Sequence, residues 1–382
     1  MLRQARVKDC DAIRALYDDI YGGAYPLELI RNPDVTRATI ADANHLWMLL
    51  EADARAVGSV LFAFDPADFI GKVYGAVVRP ELRGHDLMQL AIGACMKRLF
   101  AESKPLDILY ATTRTVTPAP ARLVTKLGFQ NAGVFPNCHK VKTSETHGLD
   151  VYVRSRALEN RLPHPKLVAE VAGLYEIARE TFGLADEPTI EDVGPPNPGS
   201  ASLRFKVLDD PALVARLYAE RLADRQLRYC FFPFHEPHVL CQSADLAHEV
   251  FLHKNAADGY AAILGIKSDR ADFSGLLDDV CEASGRLGLR YIEVLVSAFD
   301  PLKQREALHA RFLPCAYFPA MKVTPGGQRM DYLVFSRSFE RLDFTGIELE
   351  GTGRRYLQAF MKCWYAMLLA QAPDFEAQDK LF

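Results

Sequence analysis

The chain has no C-x-x-C pair among its eight cysteines, no uninterrupted apolar run of about 18 residues, no excess of basic residues and only two tryptophans. Its N-terminus, MLRQARVKDCDAIRALYDD, is broken by charges and lacks the apolar centre of an export leader, so the thiols are expected to be reduced and buried in a cytoplasmic protein. A zinc ribbon and a disulfide frame are both disfavoured. The missing apolar run excludes a membrane-spanning helix. Lys and Arg total 45 against 49 Asp and Glu, a net charge of −4, which leaves no positive field to hold nucleic acid or an anionic membrane. G-x-S-x-G and G-x-x-x-x-G-K-[ST] are also absent, so neither a serine-hydrolase elbow nor a Walker loop is present. His235, His238 and Cys241 lie within seven positions, but Pro233 and Pro237 interrupt them and no second pair matches. No metal is expected.

What remains is globular: 49% hydrophobic, 25% charged and 10% aromatic residues. At about 100–200 residues per domain, 382 residues predict two domains. Residues 3–5 read as a strand, and Asp9 as the N-cap of a helix carrying Ile13, Leu16 and Tyr17. Residues 45–52, 56–64 and 70–78 are β-branched and aromatic, separated by Asp53 and by Asp65-Pro66-Ala67-Asp68, and predict three antiparallel strands. Leu87, Leu90, Ala91, Ala94, Cys95 and Leu99 recur at helical spacing. A strand over 108–113, a helix over 119–127 closed by Gly128, and strands beginning at Val134 and Val151 complete the first half.

A helix over 166–182 and the cluster Pro188, Pro195, Pro196 and Pro198 read as an interdomain connection, and 202–208 opens a second strand-and-helix series. The chain closes on an apolar helix over 354–370 with Trp364, expected to dock on a domain or on a second copy in a homodimer. The two halves resemble each other. FPNCHKV at 135–141 faces FPAMKV at 318–323, and DVYVRSRALE at 150–159 faces DYLVFSRSFE at 331–340, with offsets of 183 and 181. Two copies of one fold are inferred.

Chemistry concentrates in VVRPELRGHDLM (77–88), a turn between a strand and a helix. Free amides at a helix N-terminus and the helix dipole make such a turn an anion cradle, with diphosphate its natural guest. Val78, Pro80, Arg83 and Gly84 here resemble the V-x-P-x-x-R-G-x-G-x-G/A turn of the GCN5-related N-acetyltransferase (GNAT) superfamily. Asp86 and Met88 stand where that family has small residues; Asp86 reads either as a helix N-cap or as a changed ligand preference, and His85 as a phosphate contact or an exposed turn residue. The resemblance extends over residues 2–157, through an opening R-x-A-x-x-x-D-x-x-x-I and L-G-F at 127–129.

The resemblance implies an α+β protein with two tandem acetyltransferase-like domains, each a mixed, mostly antiparallel sheet flanked by helices, plus a C-terminal helix. The boundaries expected are 1–157 for the acyl-CoA-binding domain, 158–200 for a helix and Pro-rich linker, 201–345 for a degenerate copy and 346–382 for the tail. It further implies acetyl-CoA, or another acyl-CoA, as co-substrate, held by Ala76, Val77 and Val78 on the fourth strand and by Arg83, Gly84, His85, Asp86, Leu87 and Met88. The acceptor implied is a primary amine of a small molecule or a protein lysine. Val124 stands where many members carry an acidic tyrosine, so Tyr74, Tyr110, Cys138 and His139 are the candidates for proton transfer. Arg114 and Thr112, ending the fifth strand, are candidates for the substrate, with Arg114 able to fork onto a carboxylate or to form a surface ion pair. Tyr229, Phe231, Phe232 and Phe234 can line an apolar acceptor pocket. GIKSDRADFSGLLDD (265–279), where the second copy would have its cradle, carries four aspartates and should repel diphosphate. Two rivals remain: an acyl-CoA sensor without turnover, and an aminoacyl-tRNA-dependent transferase built from paired domains.

Overall fold

Apolar residues alternating with polar ones mark the strands, and 3.6-residue periodicity marks the helices that cover them. The computed structural model describes residues 1–23, 28–101, 106–140, 143–194, 201–227, 232 and 234–371. The first half runs β1 (Leu2–Gln4), α1 (Cys10–Tyr21), α2 (Glu28–Arg31), α3 (Pro33–Ala41), β2 (His45–Ala52), β3 (Arg55–Asp65), β4 (Ile70–Val78), α4 (Leu87–Ala101), β5 (Ile108–Arg114), α5 (Ala119–Lys126), β6 (Gln130–Lys140) and β7 (Ser144–Val153). A middle segment holds α6 (Ser155–Glu159), β8 (Lys166–Leu167), α7 (Ala169–Phe182) and β9 (Thr189–Ile190). The second half runs β10 (Lys206–Leu208), α8 (Pro211–Ala223), β11 (Val239–Gln242), β12 (Glu249–Asn255), β13 (Tyr260–Lys267), α9 (Phe273–Arg286), β14 (Tyr291–Ser297), α10 (Pro301–His309), β15 (Leu313–Val323), β16 (Arg329–Ser338) and α11 (Gly351–Gln371).

Fourteen strands form one sheet in the order β1-β2-β3-β4-β5-β7-β6-β15-β16-β14-β13-β12-β11-β10. Read from its far end, the second half repeats the order of the first. Each half has one parallel pair, β4 with β5 and β13 with β14, and is otherwise antiparallel. The halves meet edge to edge where Gly133 of β6 pairs with Ala316 of β15. These residues hold equivalent places, so the seam has the self-complementary character of a twofold contact. Asp68 accepts from the Val323 amide (2.9 Å), and its counterpart Asp258 accepts from the Lys140 amide (3.2 Å). Buried Arg329 reaches Asp107 (3.2 Å) and the Asp68 carbonyl (2.8 Å); buried Arg290 donates to the carbonyls of Asn137 (2.9 Å) and Cys138 (3.3 Å).

The helices that follow each half of the sheet cross this seam. α7, which follows the first half, packs on β15 as well as β6; α11, which follows the second, packs on β6, β15 and α7. Val171, Leu174, Tyr175 and Ala178 of α7 are fully buried, so the segment expected to connect domains supplies core, and residues 195–200 with their prolines lie outside the described residues. On α11, Tyr356 and Phe360 are buried, whereas Met361, Tyr365, Leu368 and Leu369 are exposed. Burying two such aromatics is worth about 3–6 kcal/mol. A chain ending at residue 345 is therefore expected to lose its single cooperative melt and to bind an apolar dye at the uncovered face of β6, as checked by calorimetry and dye fluorescence. No helix among the described residues is long and apolar enough to cross a membrane.

Several sequence expectations shift. Asp9 precedes α1, but its carboxylate serves Arg3 (2.7 and 3.0 Å) and the Arg6 amide (2.7 Å) instead of capping that helix. The buried face of α4 is Met88, Ala91, Ile92, Cys95, Met96 and Leu99; Leu90 is 66% exposed and Ala94 is exposed, because several residues shared by the two possible stripes left the rotation of the helix undetermined. β7 begins at Ser144, earlier than Val151, since the polar run SETHGLD hides a strand whose Glu145, Thr146 and Asp150 are buried. The 183-residue offset holds for β6 and β15, but Leu149 and Val334 occupy equivalent places, an offset of 185. The matching letters of 150–159 and 331–340 are therefore four residues out of structural register. Of the eight thiols, Cys10, Cys95, Cys138, Cys241, Cys281 and Cys315 are buried and unpaired, Cys363 is half-buried, and Cys230 lies outside the described residues.

Candidate active site

Two features of β4 open the sheet. Between the pairs Ser59 to Val77 and Leu61 to Tyr74, one residue of β3 faces two of β4, Gly75 and Ala76, which makes a bulge. Gly75 sits at φ +62°, and Tyr17 of α1 donates its hydroxyl proton to the Gly75 carbonyl. Further, β4 pairs with β5 only at Ile70, Gly71 and Lys72, opposite Ile108, Leu109 and Tyr110. Beyond that point the strands part, and the β4 edge that carries Ala76, Val77 and Val78 faces a cleft.

The turn after β4 leaves its backbone accessible. Arg83, Gly84, His85 and Asp86 are exposed, and Arg83 folds back so that its Nε donates to the Val78 carbonyl (3.2 Å). Gly84 and Asp86 have φ of +83° and +51°, left-handed conformations that glycine adopts most easily. Asp86 accepts the first helical bond of α4 through its carbonyl, from the Leu90 amide (2.9 Å), and its carboxylate faces Lys126 of α5 at 3.5 Å. Leu87 is half-buried; the Met88 side chain lies in the core, so only its amide belongs to the turn. Among the described residues no side chain caps the amides of Leu87, Met88 or Gln89.

The equivalent turn of the second half is filled. Asp272 accepts from the Gly275 amide (2.7 Å), and buried Glu306 accepts from the amides of Phe273 and Ser274 (2.9 Å for Ser274). Arg270 bridges Asp272 and Asp279 at 2.9 Å each. Carboxylates occupy the amides that an anion would need.

Where β4 and β5 part, the second half presents a polar cluster. The Lys72 ammonium lies 5.5 Å from the centre of the Tyr74 ring and 5.7 Å from that of Tyr110. Burial lowers Lys72 to about 8, against the attraction of Glu293, and burial raises Glu293 of β14 to about 7, against hydrogen bonding and the charge of Lys72. Tyr260 donates to Glu293 (3.0 Å). The Tyr110 hydroxyl is buried and has no hydrogen-bond partner among the described residues. Phe232 and Phe234 lie 5.1 and 6.0 Å from the Tyr110 ring, which joins them to this wall, while Tyr229 and Phe231 lie outside the described residues. Glu293 holds in the second parallel pair the place that Tyr110 holds in the first.

The predicted residues thus divide. Tyr74, Tyr110 and the β4 edge gather at the cleft. Thr112 is exposed further along β5, and Arg114 does not offer its fork to a substrate: Glu145 takes it in two bonds of 2.8 and 2.7 Å. Cys138 is buried with its thiol pushed well up by burial, and His139 is bound to Asp258 (2.8 Å). Val124 is core beneath α5. His235 and His238 each pack on His253, at 4.9 and 4.8 Å between ring centres, while Cys241 lies in β11 with its thiol raised to about 12 by burial. Sequence reasoning missed Lys72 and Glu293, although a lone charge inside IGKVYGAVV and inside YIEVLVS was the visible signal.

Residues 10–129 match the model of the acetyltransferase (GNAT) family. The first half carries a GNAT domain. Among solved structures, a GNAT-family acetyltransferase from Streptococcus pneumoniae is similar at 17% identity, over 40% of this chain and 98% of that one, with a TM-score of 0.36. A ribosomal-protein-S5-alanine acetyltransferase from Vibrio fischeri (15% identity, 40% and 92%, TM-score 0.35) and a mutant spermidine N-acetyltransferase from Vibrio cholerae (16%, 41% and 96%, TM-score 0.36) are comparable. No curated protein matches the chain.

Proposed function

We propose that the GNAT half binds an acyl-CoA, acetyl-CoA first among them, and transfers the acyl group to a primary amine held against the wall supplied by the second half. The contrast between the two turns carries this reading: one helix start offers uncapped amides beside an open β4 edge, and its counterpart is filled by Asp272 and Glu306. The pyrophosphate would lie on the turn at 83–88 and the thioester against Ala76 to Val78. The amine nitrogen attacks the thioester carbonyl; its proton passes to the Glu293 carboxylate, and the sulfur leaves as thiolate while the Tyr110 hydroxyl donates a hydrogen bond to it. Tyr74 and Lys72 shape the floor, the ammonium favouring the charged form of Glu293. A thiol of pKa about 8–9 needs no strong acid to depart.

Calorimetry with acetyl-CoA, followed by thiol release on a panel of polyamines, amino acids and lysine peptides, tests this. Binding with release supports it; binding without release converts the protein to a sensor; no binding at all overturns the reading. Asp86→Gly removes a left-handed non-glycine residue and a charge from the turn. It is expected to tighten acetyl-CoA binding by about three- to tenfold, most at low salt. Asp272→Asn, in the filled turn, is expected to leave that affinity unchanged.

A further inference from the structure

Beside the mouth of the cleft, three metal-binding side chains converge. The Cys138 thiol, the His139 ring and the His147 ring each offer an atom within 4.8 Å of the others. Cys138 and His139 are neighbours on β6 and in a regular strand would face opposite ways. Here the pairing with β7 breaks between Phe135 opposite His147 and His139 opposite Glu145, so that Pro136, Asn137 and Cys138 face Thr146 alone. Asn137 sits at φ +57° within that bulge, which brings the two donors to one side.

The surroundings fit an ion better than they fit the bare side chains. Neither ring nitrogen of His147 has a hydrogen-bond partner among the described residues, although both are buried. Such a group costs free energy unless something binds it. His139 is bound through Nδ1 to Asp258 of the second half (2.8 Å), which leaves Nε2 as the ligating atom and supplies the carboxylate behind it that metal-binding histidines usually have. Asp258 is itself fixed by Asn255 (2.7 Å) and the Lys140 amide. Glu145 Oε2 lies 3.8 Å from His147 Nε2. The His139 side chain is 34% exposed, so an ion can enter. The corresponding places in the second half hold Met321, Lys322 and Tyr332.

We propose that Cys138 Sγ, His139 Nε2 and a ring nitrogen of His147 bind one borderline-soft divalent cation of the zinc type, with a fourth position left to water or Glu145. Ligand bonds of about 2.0–2.3 Å require the donors to close by roughly an ångström from their present spread, a movement the half-exposed His139 ring can supply. Through Asp258, the ion would clasp the two halves at their seam. This departs from the sequence expectation of no metal.

Cobalt(II) is the probe. The full chain, stripped with a chelator and titrated with Co2+, is expected to bind about one equivalent, to show a thiolate-to-cobalt band in the near ultraviolet with visible bands of tetrahedral strength, and to melt at a higher temperature. Cys138→Ser should abolish the near-ultraviolet band and His147→Asn should weaken binding at least tenfold, while His253→Gln changes neither. If Cys138→Ser does not fold, His139→Gln, at the more exposed ligand, is read for loss of the cobalt-induced rise in melting temperature. Less than about 0.1 equivalent bound by the parent chain, a band that survives Cys138→Ser, or binding lost only in His253→Gln would overturn the assignment.

Discussion

Glu293→Gln is expected to lower kcat/KM for amine acetylation by about 10²- to 10⁴-fold, the range over which a positioned base acts, while leaving acetyl-CoA affinity within a factor of two. The parent rate should climb with pH through about 7, where the buried carboxyl gives up its proton, and the variant should lose that limb. Stability moves on the same group. Burial raises the folded-state value above the usual carboxylate range, so the stabilisation of the protonated form is complete below that range and is lost as pH rises through about 7. The amide cannot ionise, so between pH 5 and 8 the melting temperature of the variant should decline less than that of the parent. Stopped assays across pH and parallel melts check both. A variant that keeps its rate within threefold and its acidic limb removes Glu293 from the chemistry and leaves the acyl-CoA site standing.

Gly133→Ala is expected to be the most damaging single-methyl substitution in the chain. A Cβ there would lie 2.2 Å from the Ala316 Cβ, 2.4 Å from its Cα and 2.8 Å from the Cys315 carbonyl, distances that only a shift of strand backbone can relieve. Overpacking of this kind costs about 1–3 kcal/mol where side chains can yield, and more where they cannot. Because the pair joins the halves, both should lose stability together, seen as one calorimetric transition moved down by several degrees. Two separated transitions would show that the halves fold independently of their seam.

Much of the α+β fold was legible from local pattern. The strands over 45–52 and 70–78 are bounded as their β-branched content predicts, and the FP pair at 135–136 and 318–319 marks equivalent strands. The turn at 83–88 was legible as a motif because its chemistry is local. The wall of the cleft was not. Glu293 and Lys72 are about 220 residues apart in sequence, and only the sheet order brings them together. Arg114 was left open between a substrate fork and a surface ion pair for a related reason: its partner Glu145 lies in a strand that its polar letters disguise. Asn137 matters through a bulge, which no composition rule announces.

The opposite charges of Asp107 and Arg290 hold a wider meaning. They occupy equivalent places, yet one receives Arg329 and the other grips the carbonyls at 137 and 138. In an assembly of two identical chains every substitution is made twice, so a place that must be acidic on one side of the axis cannot be basic on the other. Joining the two halves in one polypeptide lifts that restriction. Each side can then mutate alone, which is how a carboxylate can stand at 293 where its twin at 110 keeps a phenol.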